Sequence, residues 1–202
     1  RRHVGRREPA PAWYMRAESG AVIRGGQRAS TCGLHAVNHS LRSLGPEHLL
    51  TWAAFDERAE PHEKGAGGDW ESSALQRNVE LAGAAMSPVV SEDHENLTRW
   101  LDNEQCLALW KNNVLGNVLG CVVHVPGHWV ALTAPDGAHA PAAAAMLCDS
   151  LHPQPFVLSA EEVGEFFACV GATQQGAPLL QAGVWSLNLI TSPGFPEPGD
   201  IS

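Results

Sequence analysis

The stretch Gln27-Arg-Ala-Ser-Thr-Cys32-Gly-Leu-His35-Ala-Val-Asn38 decides the fold. Ser30 or Thr31 can cap a helix that begins next to Cys32. Apolar residues then recur at helical spacing, at Leu34, Val37, Leu41 and Leu44. Because the N–H groups at a helix N-terminus favour negative charge, a thiol at that end is favoured as a thiolate. The sequence therefore predicts a leading helix with a reactive cysteine at its first turn.

Helices dominate the chain up to about residue 100. Gly45 is a favourable helix stop, and Pro46 suits the first turn of another helix. A further stop is predicted at Gly83, after an apolar helical face. We expect helices over 46–58, 69–83 and 92–100, with a loop over 61–68.

Strands dominate the later part of the chain. Apolar runs predict strands over 117–125 and 128–134, joined by a turn at Pro126-Gly127. Two more strands are predicted over 146–150 and 184–190, and a capping box at 159–162 opens a helix between them. Helices followed by strands indicate an α+β fold, with the leading helix packed on a mainly antiparallel sheet.

Three distant side chains form a candidate catalytic set. A thiol hydrolase needs a thiolate, a base to accept its proton and donors to hold the developing oxyanion. Cys32 would be the nucleophile and His128, at the start of a predicted strand, the base. Asp149 lies on the next predicted strand, so it can orient the His128 imidazole if the two strands pair.

The charge of the chain is unevenly distributed. Residues 1–28 hold seven arginines and two glutamates, whereas the remainder holds six basic and twenty acidic residues, a net charge of −14. An acidic body disfavours nucleic acid as a partner. We expect a flexible basic lead segment over 1–20, one catalytic domain over 21–192 and a tail over 193–202. No apolar run is long enough to span a membrane, and we expect a monomer.

Five cysteines without tight spacing argue against a disulfide framework and for a reducing compartment, the cytoplasm or nucleus. A zinc site is the alternative use for some of them. Cys121, His124 and His128 have compatible spacing, and Cys148 and His152 follow. Strand alternation, however, puts residues 121 and 124 on opposite faces. We therefore expect neither a metal nor another cofactor.

The combined motifs resemble those of Josephin domains, a family of papain-like deubiquitinases. That family has Gln five residues before the nucleophile, His three after it and Asn six after it, and all three spacings occur around Cys32. Three further stretches are similar to the family's pattern: Gly68-Asp-Trp70-Glu with Leu75, His128-Trp-Val-Ala-Leu132 and Leu147-Cys-Asp149-Ser-Leu151. The similarity covers roughly residues 22–190.

The resemblance implies a role for each matching residue. Cys32 would be the nucleophile, His128 the base and Asp149 its orienting partner, while Gln27 would donate a side-chain N–H to the oxyanion. His35 and Asn38 match positions that we interpret as structural. The implied reaction is hydrolysis of the isopeptide bond after the C-terminal glycine of ubiquitin, with ubiquitin or polyubiquitin chains as partners.

The implied substrate requires a narrow channel that admits Gly-Gly. Trp70 and Trp129 are candidate walls of this channel, and core packing is the alternative role for each. Two features depart from the family. Residues 135–145 form an Ala/Pro-rich insertion that would invalidate the Asp149 assignment if it disrupted strand pairing, and the gating arm expected at 46–68 is short.

Two other functions remain open at this stage. The domain could bind ubiquitin without cutting it, although retention of the whole set from Gln27 to Asp149 argues against that. It could instead be another papain-like peptidase, an amidase or a transglutaminase, because the order of the catalytic residues would be the same.

Overall fold

The computed structural model describes residues 14, 31–60, 71–93, 96–99, 103–113, 116–125, 128–135, 144–170 and 186–195. Within them lie five α-helices: α1 (Cys32–Leu41), α2 (Trp52–Arg58), α3 (Ser72–Leu81), α4 (Asn103–Asn113) and α5 (Ala160–Val170). Seven strands accompany them: β1 (Ala85–Asp93), β2 (Asn96–Arg99), β3 (Val118–Val125), β4 (His128–Thr133), β5 (Ala145–Cys148), β6 (Phe156–Leu158) and β7 (Ser186–Thr191). None of the helices in these residues is long and apolar enough to cross a membrane.

The seven strands form one sheet in the order β2-β1-β7-β3-β4-β5-β6, and every neighbouring pair is antiparallel. Both faces of the sheet are covered. Val122 of β3 packs in a cluster with α1, while its neighbours Cys121 and Val123 pack in a second cluster with α4 and α5. The predicted α+β class, with a leading helix on an antiparallel sheet, is confirmed.

Helix α1 is buried along its whole length because the sheet lies on one side and α3 packs on it as well. It crosses β3 closely: a Cβ on Gly120 would lie 2.5 Å from the Ser40 hydroxyl oxygen. Its far side is tied to the chain before α2, where the Asn38 side chain donates to the Leu50 carbonyl at 2.9 Å and accepts from the Leu50 N–H at 2.8 Å. Asn38 thus has the structural position expected from the sequence.

The lengths of α1 and β4 match, and this match positions the site. Ten helical residues span about 15 Å, and the six residues of β4 span about 17–20 Å. At the C-terminal end of the helix, Arg42 donates to the Thr133 hydroxyl at the end of β4, at 2.7 Å. At the N-terminal end, Cys32 interacts with His128 at the start of β4. The two ends of the helix therefore meet the two ends of the strand.

One local prediction is confirmed, and two differ from the structure. The capping box forms as expected: the Ser159 N–H donates to Glu162 Oε2 at 2.7 Å, and the Glu162 N–H donates to the Ser159 hydroxyl at 3.3 Å. The helix expected over 92–100 is instead parts of β1 and β2, which pair with each other. The helix expected over 46–58 is split into a 3-10 turn at Pro46–His48 and α2, which Thr51 caps.

Candidate active site

Cys32 is the first residue of α1 and is 8% exposed. The N-cap position is occupied by Thr31, whose side chain makes no capping hydrogen bond. The first turn also contains no acidic residue. Neither a capping hydroxyl nor a carboxylate of the first turn therefore competes with the Cys32 sulfur for the positive end of the helix. This favours the thiolate form of Cys32.

His128 is held by the carboxylate of Asp149. The pairs Ala131↔Cys148 and Leu132↔Leu147 define the register of β4 and β5. Extending this register by one residue places Asp149 diagonally from His128 on the same face of the sheet. His128 Nε2 lies 2.8 Å from Asp149 Oδ1, and both side chains are mostly buried, at 15% and 20% exposed. The insertion at 135–145 thus leaves this strand pairing intact.

The charge on His128 reflects its two partners. Burial by itself would lower the pKa of His128, but hydrogen bonds to Asp149 and Cys32, together with their negative charges, raise that pKa to about 9. Because Nε2 faces Asp149, the ring nitrogen left for the thiol is Nδ1. At neutral pH the ring is therefore an imidazolium between a carboxylate and the sulfur of Cys32.

The Asp149 carboxylate is held by hydrogen bonds from His128 and from the backbone of the following turn. Burial raises the pKa of this carboxyl, but the hydrogen bonds from His128 and from the Leu151 N–H outweigh burial and lower the pKa. The Leu151 N–H donates to Oδ1 at 2.9 Å. On the other side of the carboxylate, His152 Nε2 lies 3.7 Å from Oδ2. Asp149 is therefore ionised at neutral pH and can hold the imidazolium.

The structure brings together three of the four residues predicted to be catalytic. Cys32, His128 and Asp149 form a connected chain of thiol, imidazole and carboxylate. Gln27, the predicted oxyanion donor, and Trp70, a predicted channel wall, lie outside the described residues. Their roles stay predictions.

Trp129 lies in the core rather than on a channel wall. It is 2% exposed and its ring stacks on His124 with centroids 4.1 Å apart. Its Cδ1 is 3.5 Å from the position that a Cβ on Gly33 would occupy. The wall prediction for Trp129 is therefore corrected to its alternative: the side chain packs under the first turn of α1 and supports it from behind.

The residues proposed as an alternative zinc set do not converge. Cys121 faces the α4 and α5 cluster, whereas His124 stacks on Trp129 in the α1 cluster. Burial also raises the pKa of the Cys121 thiol, which disfavours the thiolate form that a metal needs. Within the described part of the chain, no three His, Cys, Asp or Glu side chains are grouped so that they could hold a metal ion.

Two residues near the triad were not predicted to belong to it. The Tyr14 hydroxyl donates to the carbonyl of Asp149 and lies 3.3 Å from the carbonyl of His152, although Tyr14 lies in the lead segment. His152, which approaches the free oxygen of Asp149, was considered only as a zinc ligand. Its place three residues after Asp149 in a turn was a signal that could have found it.

Comparison with known proteins does not place this chain in a family. No protein-family model and no curated protein matches the chain. Among solved structures, the chain resembles a double glycine motif protease from an AMS/PCAT transporter, solved in complex with its leader peptide. The two share 12% sequence identity with a TM-score of 0.39, and the alignment covers 91% of this chain and 97% of the other. At this similarity the likeness does not assign a family or an activity.

Proposed function

We propose that this chain is a cysteine peptidase that hydrolyses the bond after the C-terminal glycine of ubiquitin. The observation that carries the catalytic part is the chain of contacts from Cys32 through His128 to Asp149, with a 2.8 Å bond between the last two. Burying a charged group is costly. If His128 served only to pack the core, it would not need to be a buried imidazolium between a thiol and a carboxylate.

The geometry supports a two-stage acyl transfer. In the first stage the Cys32 thiolate attacks the carbonyl carbon of the C-terminal glycine, and a thioester forms as the C–N bond to the lysine breaks. The His128 imidazolium gives its proton to the leaving lysine amine. In the second stage neutral His128 takes a proton from water, which hydrolyses the thioester and restores the thiolate and imidazolium. Asp149 keeps the ring in one orientation through both stages.

The oxyanion that forms in both stages needs N–H donors. The backbone N–H groups at the start of α1 lie beside the sulfur, as the position of Cys32 requires. The Gln27 side chain would supply a second donor, by resemblance to the Josephin pattern. Gln27→Ala should then lower kcat roughly 10²–10³-fold.

The choice of ubiquitin as substrate depends on the motif resemblance. The spacings of Gln27, His35 and Asn38 around Cys32 support it. So does the structural role of Asn38, which ties α1 to the residues before α2.

The test is labelling by a ubiquitin probe that ends in an electrophile. We expect wild type to form a covalent adduct and Cys32→Ala to form none. Cys106→Ala is the matched control, because Cys106 is a buried cysteine on α4, on the opposite face of the sheet. It should be labelled like wild type.

Other outcomes separate the alternatives. Tight ubiquitin binding without an adduct, and without cleavage of ubiquitin conjugates, would indicate a non-catalytic ubiquitin-binding module. Rapid alkylation of Cys32 by a small electrophile, without reaction with the ubiquitin probe, would indicate a peptidase or amidase of another specificity. Full activity in Cys32→Ala would exclude the proposed mechanism altogether.

A further inference from the structure

Tyr14 connects the lead segment to the candidate active site. It is 8% exposed although it lies among the arginines, prolines and alanines at the start of the chain. Its ring stacks on His39 of α1, with centroids 5.1 Å apart and planes 7° from parallel. Its hydroxyl donates to the carbonyl of Asp149 and lies 3.3 Å from the carbonyl of His152.

These contacts involve both ends of a tight turn. The His152 N–H donates to the Asp149 carbonyl at 2.9 Å, which closes a turn over residues 149–152. The same Asp149 carbonyl accepts from the Tyr14 hydroxyl, which also lies beside the His152 carbonyl. The other side chains of the turn anchor it only in part: Ser150 is buried and the His152 ring contacts Phe156 with centroids 4.6 Å apart, but Leu151 is 68% exposed and residues 152–154 are exposed as well.

The turn determines where the Asp149 carboxylate points. Asp149 follows the last residue of β5, so strand pairing fixes its backbone on one side only. Its carboxylate accepts from the Leu151 N–H inside the turn and from His128 across the sheet. A rotation of the turn would therefore move the carboxylate away from His128. An error of about 1 Å in such a contact can cost up to 10²-fold in rate.

We propose that Tyr14 is a positioning residue, which clamps the turn at 149–152 to α1 and thereby aligns Asp149 with His128. The lead segment is then a working part of the catalytic unit and not only a solvated arm. The inference rests on the proposed catalytic role of Asp149, but it does not depend on ubiquitin as the substrate.

The charges around the clamp are compatible with this role. Burial, with the neighbouring charges of His35 and Arg42, lowers the pKa of His39 to about 3, so the ring that stacks on Tyr14 is neutral at physiological pH. The carboxylate of Asp149 is faced by His128 and His152. Tyr14 contacts the backbone carbonyls of the turn, whereas the two histidines contact the carboxylate.

Tyr14→Phe is the sharpest test, because it keeps the ring on His39 and removes only the hydroxyl. Two measurements are compared with wild type: kcat/KM on a ubiquitin substrate, and the pH profile of Cys32 alkylation by iodoacetamide. We expect kcat/KM to fall roughly ten- to hundredfold, mainly through kcat. We also expect the alkaline change in the alkylation rate, which marks loss of the His128 proton beside the thiolate, to move to lower pH as Asp149 loses its alignment with His128.

A truncated chain and a spectroscopic signal support the test. A chain that lacks residues 1–20 should lose activity at least as much as Tyr14→Phe, whereas Arg16→Ala, in the same segment, should behave like wild type. Tyr14 is the single tyrosine of the chain. Selective labelling therefore gives one tyrosine signal, whose resonance reports whether the phenol is held in the untruncated 202-residue chain.

The outcomes separate this inference from the proposed function. If wild type does not react with ubiquitin, but Tyr14→Phe still shifts the alkylation profile, the clamp stands and the substrate assignment fails. If Tyr14→Phe keeps the wild-type kcat/KM and alkylation profile, the clamp is refuted and the peptidase proposal stands. A lower melting temperature with an unchanged profile in the folded protein would also refute it, since Tyr14 would then be merely structural.

Discussion

Replacing Asp149 by Asn tests the electrostatic centre of the site. The amide oxygen of Asn can still accept a hydrogen bond from His128 Nε2, so the orientation of the ring is retained. What the substitution removes is the negative charge 2.8 Å from the imidazole. Asp149→Asn therefore separates the charge of the carboxylate from its hydrogen bond, which Asp149→Ala would remove together.

The expected size of the effect follows from the environment of His128. Its pKa of about 9 results from two negative partners that outweigh the opposing effect of burial. A rise of this size corresponds to roughly 3 kcal/mol in favour of the imidazolium. A single adjacent carboxylate accounts for about 1–3 pKa units in such sites. In Asp149→Asn the ring stays buried and Cys32 remains as a partner, so we expect the pKa of His128 to fall by about one unit or more.

The assay is the pH dependence of kcat/KM and of Cys32 alkylation between about pH 5 and pH 10. In wild type the imidazolium is present below pH 9 and is lost as the pH rises through that value, so kcat/KM should fall on the alkaline side near pH 9. The alkylation rate should change at the same pH, because the Cys32 thiolate then loses its imidazolium partner. In Asp149→Asn the fall should occur at lower pH. His152→Gln is the control, because His152 is half exposed and 3.7 Å from the other carboxylate oxygen. An alkaline limb that stays at the wild-type pH in Asp149→Asn would refute the reasoning.

Three further predictions concern stability. The pKa of His39 is lowered to about 3 in the folded protein, so unfolding takes up a proton below about pH 6.5. The free energy of unfolding should therefore fall as the pH drops from about 6.5 towards 3. In urea titrations, His39→Phe should show a weaker pH dependence of this free energy. Asn38→Ala should lower the free energy of unfolding by roughly 1–3 kcal/mol, because it leaves both backbone groups of Leu50 without their side-chain partner. Gly120→Ala should cost about 1–3 kcal/mol in the same titration, since its Cβ would lie 2.5 Å from the Ser40 hydroxyl oxygen; wild-type stability would contradict the tight crossing of α1 over β3.

Features that are encoded locally could be predicted from the sequence. The capping box at Ser159 and Glu162 needs only residues three apart, and it forms as expected. The glycine stop after α3 is likewise local: Gly83 has a φ of +83°, a conformation that favours glycine. The convergence of Cys32, His128 and Asp149 was predictable because a helix start and two successive strands leave few alternative arrangements.

Features that depend on distant partners could not be predicted. Strand β1 contains Pro88, although proline normally argues against a strand. The pairing register with β7 shifts between Pro88 and Val90. An irregularity of this kind tolerates a residue that has no N–H to donate. The partner strand β7 lies about a hundred residues later, so local periodicity over 92–100 favoured a helix where pairing imposes strands.

The role of Trp129 was ambiguous for a related reason. A strand that is buried on one face shows alternation, which reveals the inward side chains. In β4 every residue after His128 is buried, so alternation does not distinguish the face toward α1 from the face toward α5. Tyr14 had even less of a signal, because the partners of its hydroxyl are backbone carbonyls, which carry no mark in the sequence.

The connection between β4 and β5 shows what determines the position of Asp149. The entropic cost of closing a loop grows only slowly with its length, so a long connection between these strands costs little. A slip of one residue in the pairing, by contrast, would turn Asp149 to the opposite face of the sheet and away from His128. The pair Ala131↔Cys148 therefore matters more to the site than the length of the connection. Shortening the loop should be tolerated as long as that register is kept.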